Sequence, residues 1–533
     1  MKYLSTRGGD ERLTFEQAVL RGLAPNGGLY IPETIPTLPD DWETAWAELS
    51  FVELSFRILS LFVPPTAGAG GIPPDDLRAL VEKSYGSFRA GDVTPLRRVS
   101  EHEWCLELWH GPTFAFKDIA LQLLGNLFEY FLTRRNARDG DGAHTLTVLG
   151  ATSGDTGSAA IAGLRSKANV HIFILHPEGR VSPIQEAQMT TVLDENVHNL
   201  AADGTFDDCQ DIVKALFSDA AFNGRHHLGA INSINWARIL SQIVYYFAAH
   251  FALRRQAPDV DPATVQFVVP TGNFGDILAG YFAKHLGLPM APLVVATNEN
   301  DILQRFWMSG AYEKRADAGA DDAGDVKVTL SPAMDILVSS NFERLLWYLA
   351  RDTASAADDA AAVREAGAQV QQWMQQLRAD GRVQVSPAQL ALARRDFVAE
   401  RVSNNETRAA ILRYFGGDDA RAPYLVDPHT AVAFEAANRV MNDPPRPQII
   451  LSTAHPAKFS DAVVSSISEH SDEARALQYF HDKVLPTEMQ GLLERERRVT
   501  QVRPQDAHVP AGTAKLDALI ARTKEIIETD GFQ

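Results

Sequence analysis

The chain has 533 residues, 45% of them hydrophobic and 22% charged, and a formal net charge of −18. Two or three domains with a large core are expected at that length, and so acidic a surface repels phosphate backbones, which excludes nucleic acid as a natural partner. Two cysteines, Cys105 and Cys209, supply neither a disulfide framework nor a cysteine-based metal site.

In chain order, the first ten residues lack an apolar stretch, and Asp10 and Glu11 argue against a transit peptide. Helical patterns at 15–21 and 42–61 are punctuated by proline and glycine. The run Pro64 to Pro74 is a turn-rich loop, not a dinucleotide site, because no strand enters it. A separate, mostly helical N-terminal domain over 1–100 is expected.

From Glu101 onward short β-rich runs alternate with longer amphipathic ones. Strands are expected at 145–150, 170–175, 265–269, 293–297 and 448–451. Helices are expected at 114–132, 206–217 and 236–253. That alternation predicts parallel sheets in an α/β fold, with ligands at the C-terminal ends of strands. The apolar run 243–253 is interrupted by His250 and is too short to span a bilayer. The expectation is a cytoplasmic protein with no membrane partner. Segments 315–325 and 353–378 read as insertions, the second as a solvated helix.

Four places carry chemistry. Lys117 follows Phe114-Ala115-Phe116 at the head of an apolar helix, where burial would favour a neutral, nucleophilic amine. A surface lysine beside Asp118 would read the same way. The loop Gly150-Ala151-Thr152-Ser153-Gly154-Asp155-Thr156-Gly157 joins a strand to a small-residue helix. Its N–H groups and hydroxyls suit a carboxylate or phosphate, though an ordinary capped turn has the same composition. Pro270-Thr271-Gly272-Asn273-Phe274-Gly275-Asp276 is a second such seat before a second helix. It lacks the Gly-Lys-Ser/Thr of a nucleotide loop. Ser452-Thr453-Ala454-His455-Pro456 ends a further strand. No histidine or acidic cluster has metal-ligand spacing, so no metal is expected.

The segment His110 to Asp118, the three loops, Ile231 to Arg238, Asn341 to Trp347, Ser5 to Gly9 and Asn26 to Pro32 together resemble the threonine synthases, in the long form of fungi and many bacteria. The likeness runs almost end to end. It implies the tryptophan-synthase β-like fold of pyridoxal-phosphate enzymes: two parallel-sheet α/β domains with a cofactor cleft between them. The expected division is 101–145 plus 262–533 as the large cofactor-binding domain with insertions, and 146–261 as the small domain. The resemblance implies that Lys117 anchors pyridoxal 5'-phosphate and acts as acid and base. Gly272, Asn273, Phe274, Gly275 and Asp276 would wrap its phosphate. Asp155 would stand by its phenolic oxygen and Thr453 by its ring nitrogen. Thr152, Ser153, Gly154 and Thr156 would hold the substrate carboxylate. Ser233, Asn235 and Arg238, helped by Arg180 and Ser182, would take the substrate phosphate. The implied reaction converts O-phospho-L-homoserine and water to L-threonine and phosphate. A monomer or homodimer is expected. A dehydratase or cysteine synthase of the same fold needs no second phosphate site, and a catalytically dead relative needs no Lys117.

Overall fold

The computed structural model describes residues 1–152, 154–314, 326–416, 423–441, 445–468, 472–510 and 512–532. They fall into two compact units. The first comprises 1–82, 88–110 and 233–484, the second 83–87, 111–232 and 485–533.

The first unit is built on a six-stranded sheet in the order Phe397–Arg401, Leu293–Thr297, Gln266–Pro270, Gln448–Ser452, Glu103–Glu107, Leu96–Arg98. Every neighbouring pair is parallel except the last, where Leu96–Arg98 runs antiparallel at the edge. The four central strands are buried along their whole length, as parallel strands covered by helices on both faces must be. Helix Gly275–Leu286 leads from Gln266–Pro270 to Leu293–Thr297, and helix Pro428–Val440 precedes Gln448–Ser452.

Residues 1–82 fall within this unit. Strand Tyr3–Ser5 pairs with Tyr30–Pro32. Just beyond it, Arg7 Nε and Nη2 grip the two Glu343 oxygens at 3.0 and 2.8 Å, and Thr6 Oγ1 donates to the same carboxylate at 2.6 Å. The expected helix 42–61 is two helices, Trp42–Ala45 and Phe51–Phe62. Ser50 separates them by capping the second, its hydroxyl accepting from Glu53 N–H at 3.2 Å.

The second unit has a five-stranded, all-parallel sheet in the order Thr500–Val502, Val197–Ala202, Val170–Pro177, Leu146–Ala151, Leu228–Ala230. Helix Lys117–Asp139 packs here against Asp155–Leu164. The two approach so closely that a Cβ on Gly125 would sit 2.0 Å from the Gly163 carbonyl oxygen. The C-terminal helix Lys515–Asp530 adds Leu519, Ile526 and Ile527 to a core with Phe173, Leu200 and Ile212. The unit therefore takes in 111–145 and 485–533, which the sequence boundaries assign to the larger domain.

Segment 353–378 is solvated on one face only: helix Asp359–Asp380 buries Ala366, Val370, Trp373 and Leu377. Segment 315–325 lies outside the described residues. Among the described residues no helix is long and apolar enough to cross a membrane.

Candidate active site

In the second unit the helix expected from residue 114 begins at Lys117. Phe114 has φ 61, and the Asp118 carboxylate folds back to accept from Thr113 N–H and Oγ1, both at 2.7 Å. Asp118 is thus spent on the turn. Asp155 is an ion partner of Lys117, with Nζ 3.7 Å from Oδ2 and only 11% of the lysine side chain exposed. Nζ also lies 5.4 Å from the centre of the Phe116 ring.

Asp155 opens helix Asp155–Leu164 at the end of strand Leu146–Ala151. Gln185 Nε2 donates to its Oδ1 at 2.9 Å. The loop before it is held from within. Thr152 Oγ1 accepts the N–H groups of Gly154 and Gly157, each at 2.9 Å. Gly154 has φ 144, and a Cβ there would strike Gln185 Oε1 at 2.4 Å, so only glycine fits. Thr156 is half-buried in the first helical turn. Ser153 lies outside the described residues.

In the first unit the loop Thr271–Phe274 leaves strand Gln266–Pro270 and enters helix Gly275–Leu286. Two of the side chains here turn inward, while Asn273 stays exposed and its Oδ1 accepts from Ser340 Oγ at 3.1 Å. Phe274, at φ 61, packs its ring on Phe342, Phe397 and Trp307 at 5.2, 5.7 and 6.0 Å. Asp276 turns inward to accept from Tyr245 Oη at 2.5 Å and Tyr246 Oη at 3.0 Å. Burial pushes its carboxyl up to about 7 against the pull of the two phenols. Asn273 is clamped by Asn341, whose N–H and Nδ2 donate to the Asn273 carbonyl at 3.1 and 2.9 Å. What faces outward at the helix start is backbone together with the Asn273 side chain. A Cβ on Gly275 would come no nearer than 3.5 Å to Asn341 or Ile239, so protein packing does not demand glycine there. Close approach of an anion to the first N–H groups of the helix does, and a cofactor phosphate fits that requirement.

Ser233 lies 3.3 Å from Ser340 Oγ and accepts from Asn341 Nδ2 at 3.3 Å. Asn235 is occupied at both ends. Its Oδ1 caps helix Trp236–Gln256 through Ala237 N–H at 3.1 Å, and its Nδ2 donates to the Val19 carbonyl at 2.9 Å. Arg238 is 3% exposed, and burial draws its pKa down to about 10. Ser182 caps helix Pro183–Thr190. Thr453 follows strand Gln448–Ser452 and is buried. Beside it His455 packs edge-on to Trp109 at 4.8 Å, and burial followed by the charge of His110 lowers its pKa to about 4.

Three residues escaped the sequence reading of the site. Gln185 sits between Asp155 and Gly154. Asn341 ties Ser233 to the Asn273 loop. Arg344, fully buried, donates to the Tyr30 carbonyl at 3.0 and 2.9 Å and to the Ile234 carbonyl at 2.6 Å. Asn341 and Arg344 stood inside a segment already singled out, but nothing local in that segment tells which of its polar residues face inward.

Three family models match in succession. They are the threonine synthase N terminus over residues 2–85, the pyridoxal-phosphate dependent enzymes over 88–367, and the threonine synthase C-terminal model over 430–511. The threonine synthase of Schizosaccharomyces pombe is 54% identical over 503 residues, 93% of this chain and 94% of that protein. The crystal structure of threonine synthase from yeast superposes with a TM-score of 0.87 at 47% identity, covering 99% of this chain and 98% of that one. The pyridoxal-phosphate-bound threonine synthase from Brucella melitensis gives 0.82 at 40% identity over the whole of both chains.

Proposed function

We infer the roles of individual residues from one premise: the chain belongs to the threonine synthases, pyridoxal-phosphate enzymes that convert O-phospho-L-homoserine and water to L-threonine and phosphate. The observation that carries the assignment is the shielded Lys117 amine, 3.7 Å from Asp155 at a strand-end loop. Lys117 is the covalent anchor of the cofactor. Asp155, steadied by Gln185, orients the amine and stands on the phenolic side.

Bound pyridoxal phosphate supplies the electron sink for cleavage at carbon. Gly272, Asn273, Gly275 and the backbone of Phe274 and Asp276 hold its phosphate at the start of helix Gly275–Leu286. Thr453 offers its ring nitrogen a neutral hydroxyl. A carboxylate in that position would keep the nitrogen protonated and the sink stronger.

Once the substrate amine has displaced it, Lys117 Nζ is a free amine and carries one proton at a time: off Cα, then off Cβ, and back onto Cγ and Cα. Phosphate leaves Cγ and water adds at Cβ. Gly154, Thr156 and Ser153 bind the substrate carboxylate, and Thr152 shapes their loop. Ser233 and Arg238 take the substrate phosphate, a group that suits a fixed guanidinium charge in an acidic protein. Asn235 acts behind them by fixing the start of the helix that carries Arg238. The two cysteines are buried and free, which suits a reducing, cytoplasmic compartment.

The test is borohydride reduction of the cofactor-loaded enzyme followed by peptide mapping, alongside turnover in isotopically heavy water. The expected outcome is a tag on the Lys117 peptide and threonine carrying one heavy oxygen at Cβ. A tag on another lysine overturns the assignment.

A further inference from the structure

Behind the two cofactor-facing edges of the first unit runs a buried polar chain that the roles above leave unused. Asp427 caps helix Pro428–Val440, and both it and His429 are shut off from solvent. His429 Nδ1 is 2.7 Å from Asp427 Oδ1. At the opposite side of the ring, Nε2 accepts the N–H of Ala333 at 3.2 Å. An acceptor at Nε2 fixes the tautomer: the proton is on Nδ1 and points at Asp427.

The turn that His429 grips lies directly against the phosphate loop. A Cβ on Gly272 would be 2.9 Å from the Ala333 carbonyl oxygen and 3.1 Å from Met334 Cα. The other carboxylate oxygen of Asp427 takes the Thr430 hydroxyl. That hydroxyl oxygen is 3.1 Å from Ser452 Oγ, which also accepts Trp109 Nε1–H at 2.9 Å. Ser452 is the residue before Thr453.

We propose that Asp427 and His429 are positioning residues that set the cofactor seat from behind. His429 presses the Ser331–Met334 turn onto Gly272, and Asp427 braces both that histidine and the strand end presenting Thr453. The proposal rests on the phosphate and ring-nitrogen roles given above. It gives the pair a function beyond packing, because a buried, fully bonded network can fix the geometry of a neighbouring site.

The test uses the full chain stripped of cofactor and titrated with pyridoxal phosphate and, in parallel, with pyridoxal, which lacks the phosphate. The readout is the ratio of the two affinities, together with the absorbance of the bound form. His429→Gln can place an acceptor near the Nε2 position. His429→Asn keeps a donor toward Asp427 but cannot reach Ala333. His429→Asn should lower the ratio about tenfold, the size of one lost hydrogen bond, and His429→Gln should recover most of it. His429→Leu should match Asn if it folds; the Gln and Asn pair decides if it does not. Gly275→Val separates the premises. If it lowers the ratio and His429→Asn does not, or if Gln is no better than Asn, the positioning role is overturned. If neither variant moves the ratio, the phosphate seat itself is misassigned and the proposal falls with it.

Discussion

The two glycine-rich strand-end loops, 150–157 and 270–276, have nearly the same chemistry in sequence and are used in opposite ways. In the first, side chains hold the loop. Thr152 takes two of its N–H groups, Gln185 fills the space over Gly154, and Asp155 reaches toward Lys117. In the second, side chains leave the loop. Phe274 enters an aromatic core and Asp276 turns to two tyrosines, which leaves backbone and the exposed Asn273 side chain at the helix start. A carboxylate at the start of a helix can therefore be a working group or a buried prop, and the difference lies in what packs behind it.

The largest effect should come from the working side. Lys117→Ala should reduce threonine formation to background and abolish the absorbance of covalently held cofactor, with far-UV circular dichroism unchanged. The substitution removes a shielded amine with its stem. Residual turnover well above background would break the contrast, since the first loop would then act without its lysine.

Next in size is the backbone seat. Gly275→Val should weaken pyridoxal-phosphate binding about tenfold or more, the scale of losing a charge-assisted contact. Protein neighbours leave ordinary van der Waals room for a Cβ there, so Gly275→Ala, which adds that atom alone, should barely move the thermal midpoint of the cofactor-free protein and serves as the control for folding. Tight stoichiometric binding by this variant would place the phosphate elsewhere.

The alternation of apolar strands and helices was enough to expect parallel sheets with strands near 145–150, 170–175, 265–269, 293–297 and 448–451, because parallel strands buried on both faces show as continuous apolar runs. It missed Glu103–Glu107, Val197–Ala202 and Phe397–Arg401. Strand Leu293–Thr297 is found at the expected bounds. Short strands were not legible. Thr500–Val502 is three residues long and joins its sheet only through Val197–Ala202, far away in the chain. No local period announces such a partner, so the C-terminal segment could not be given its unit from sequence. Likewise, Phe114 and Phe274 take left-handed backbone angles that aromatic residues rarely adopt. The motifs around them were visible, yet the placing of each side chain depends on Asp118 or on Phe342. Asp427 and His429 drew no notice, because a capping aspartate before Pro-His-Thr looks like any helix start.

A third, smaller effect separates a loop held by hydroxyl from one that is not. Thr152→Val keeps shape but leaves two buried N–H groups without their acceptor, which should cost about 1–3 kcal/mol. Thr271→Val in the second loop removes only a donor to the Val269 carbonyl, at 2.7 Å, and should cost less. Urea unfolding of both variants checks this. Equal losses would mean that the two loops depend on their threonines alike.

The smallest effect concerns the buried prop. Asp276 has its carboxyl pushed from the ordinary 3.8 up to about 7, chiefly by burial. A raised acid works against the native state as pH rises. Between about pH 4 and pH 7 the native protein keeps a proton that the unfolded chain has released, so raising the pH across that window favours unfolding. Above it both states are ionised and the contribution levels off. Asp276→Asn retains an oxygen that can accept from Tyr245 and Tyr246 and removes the ionisation. The stability of wild type minus that of the variant should therefore fall from acid to neutral pH and then flatten. Other carboxylates titrate in both proteins and cancel in the difference. Denaturant midpoints measured on the two proteins from about pH 4 to pH 8 supply that difference. A difference that is level throughout would mean that Asp276 is ionised in the folded protein. In that case the two loops would carry the same charged group at the helix start, and the contrast between a working aspartate and a neutral one would be lost.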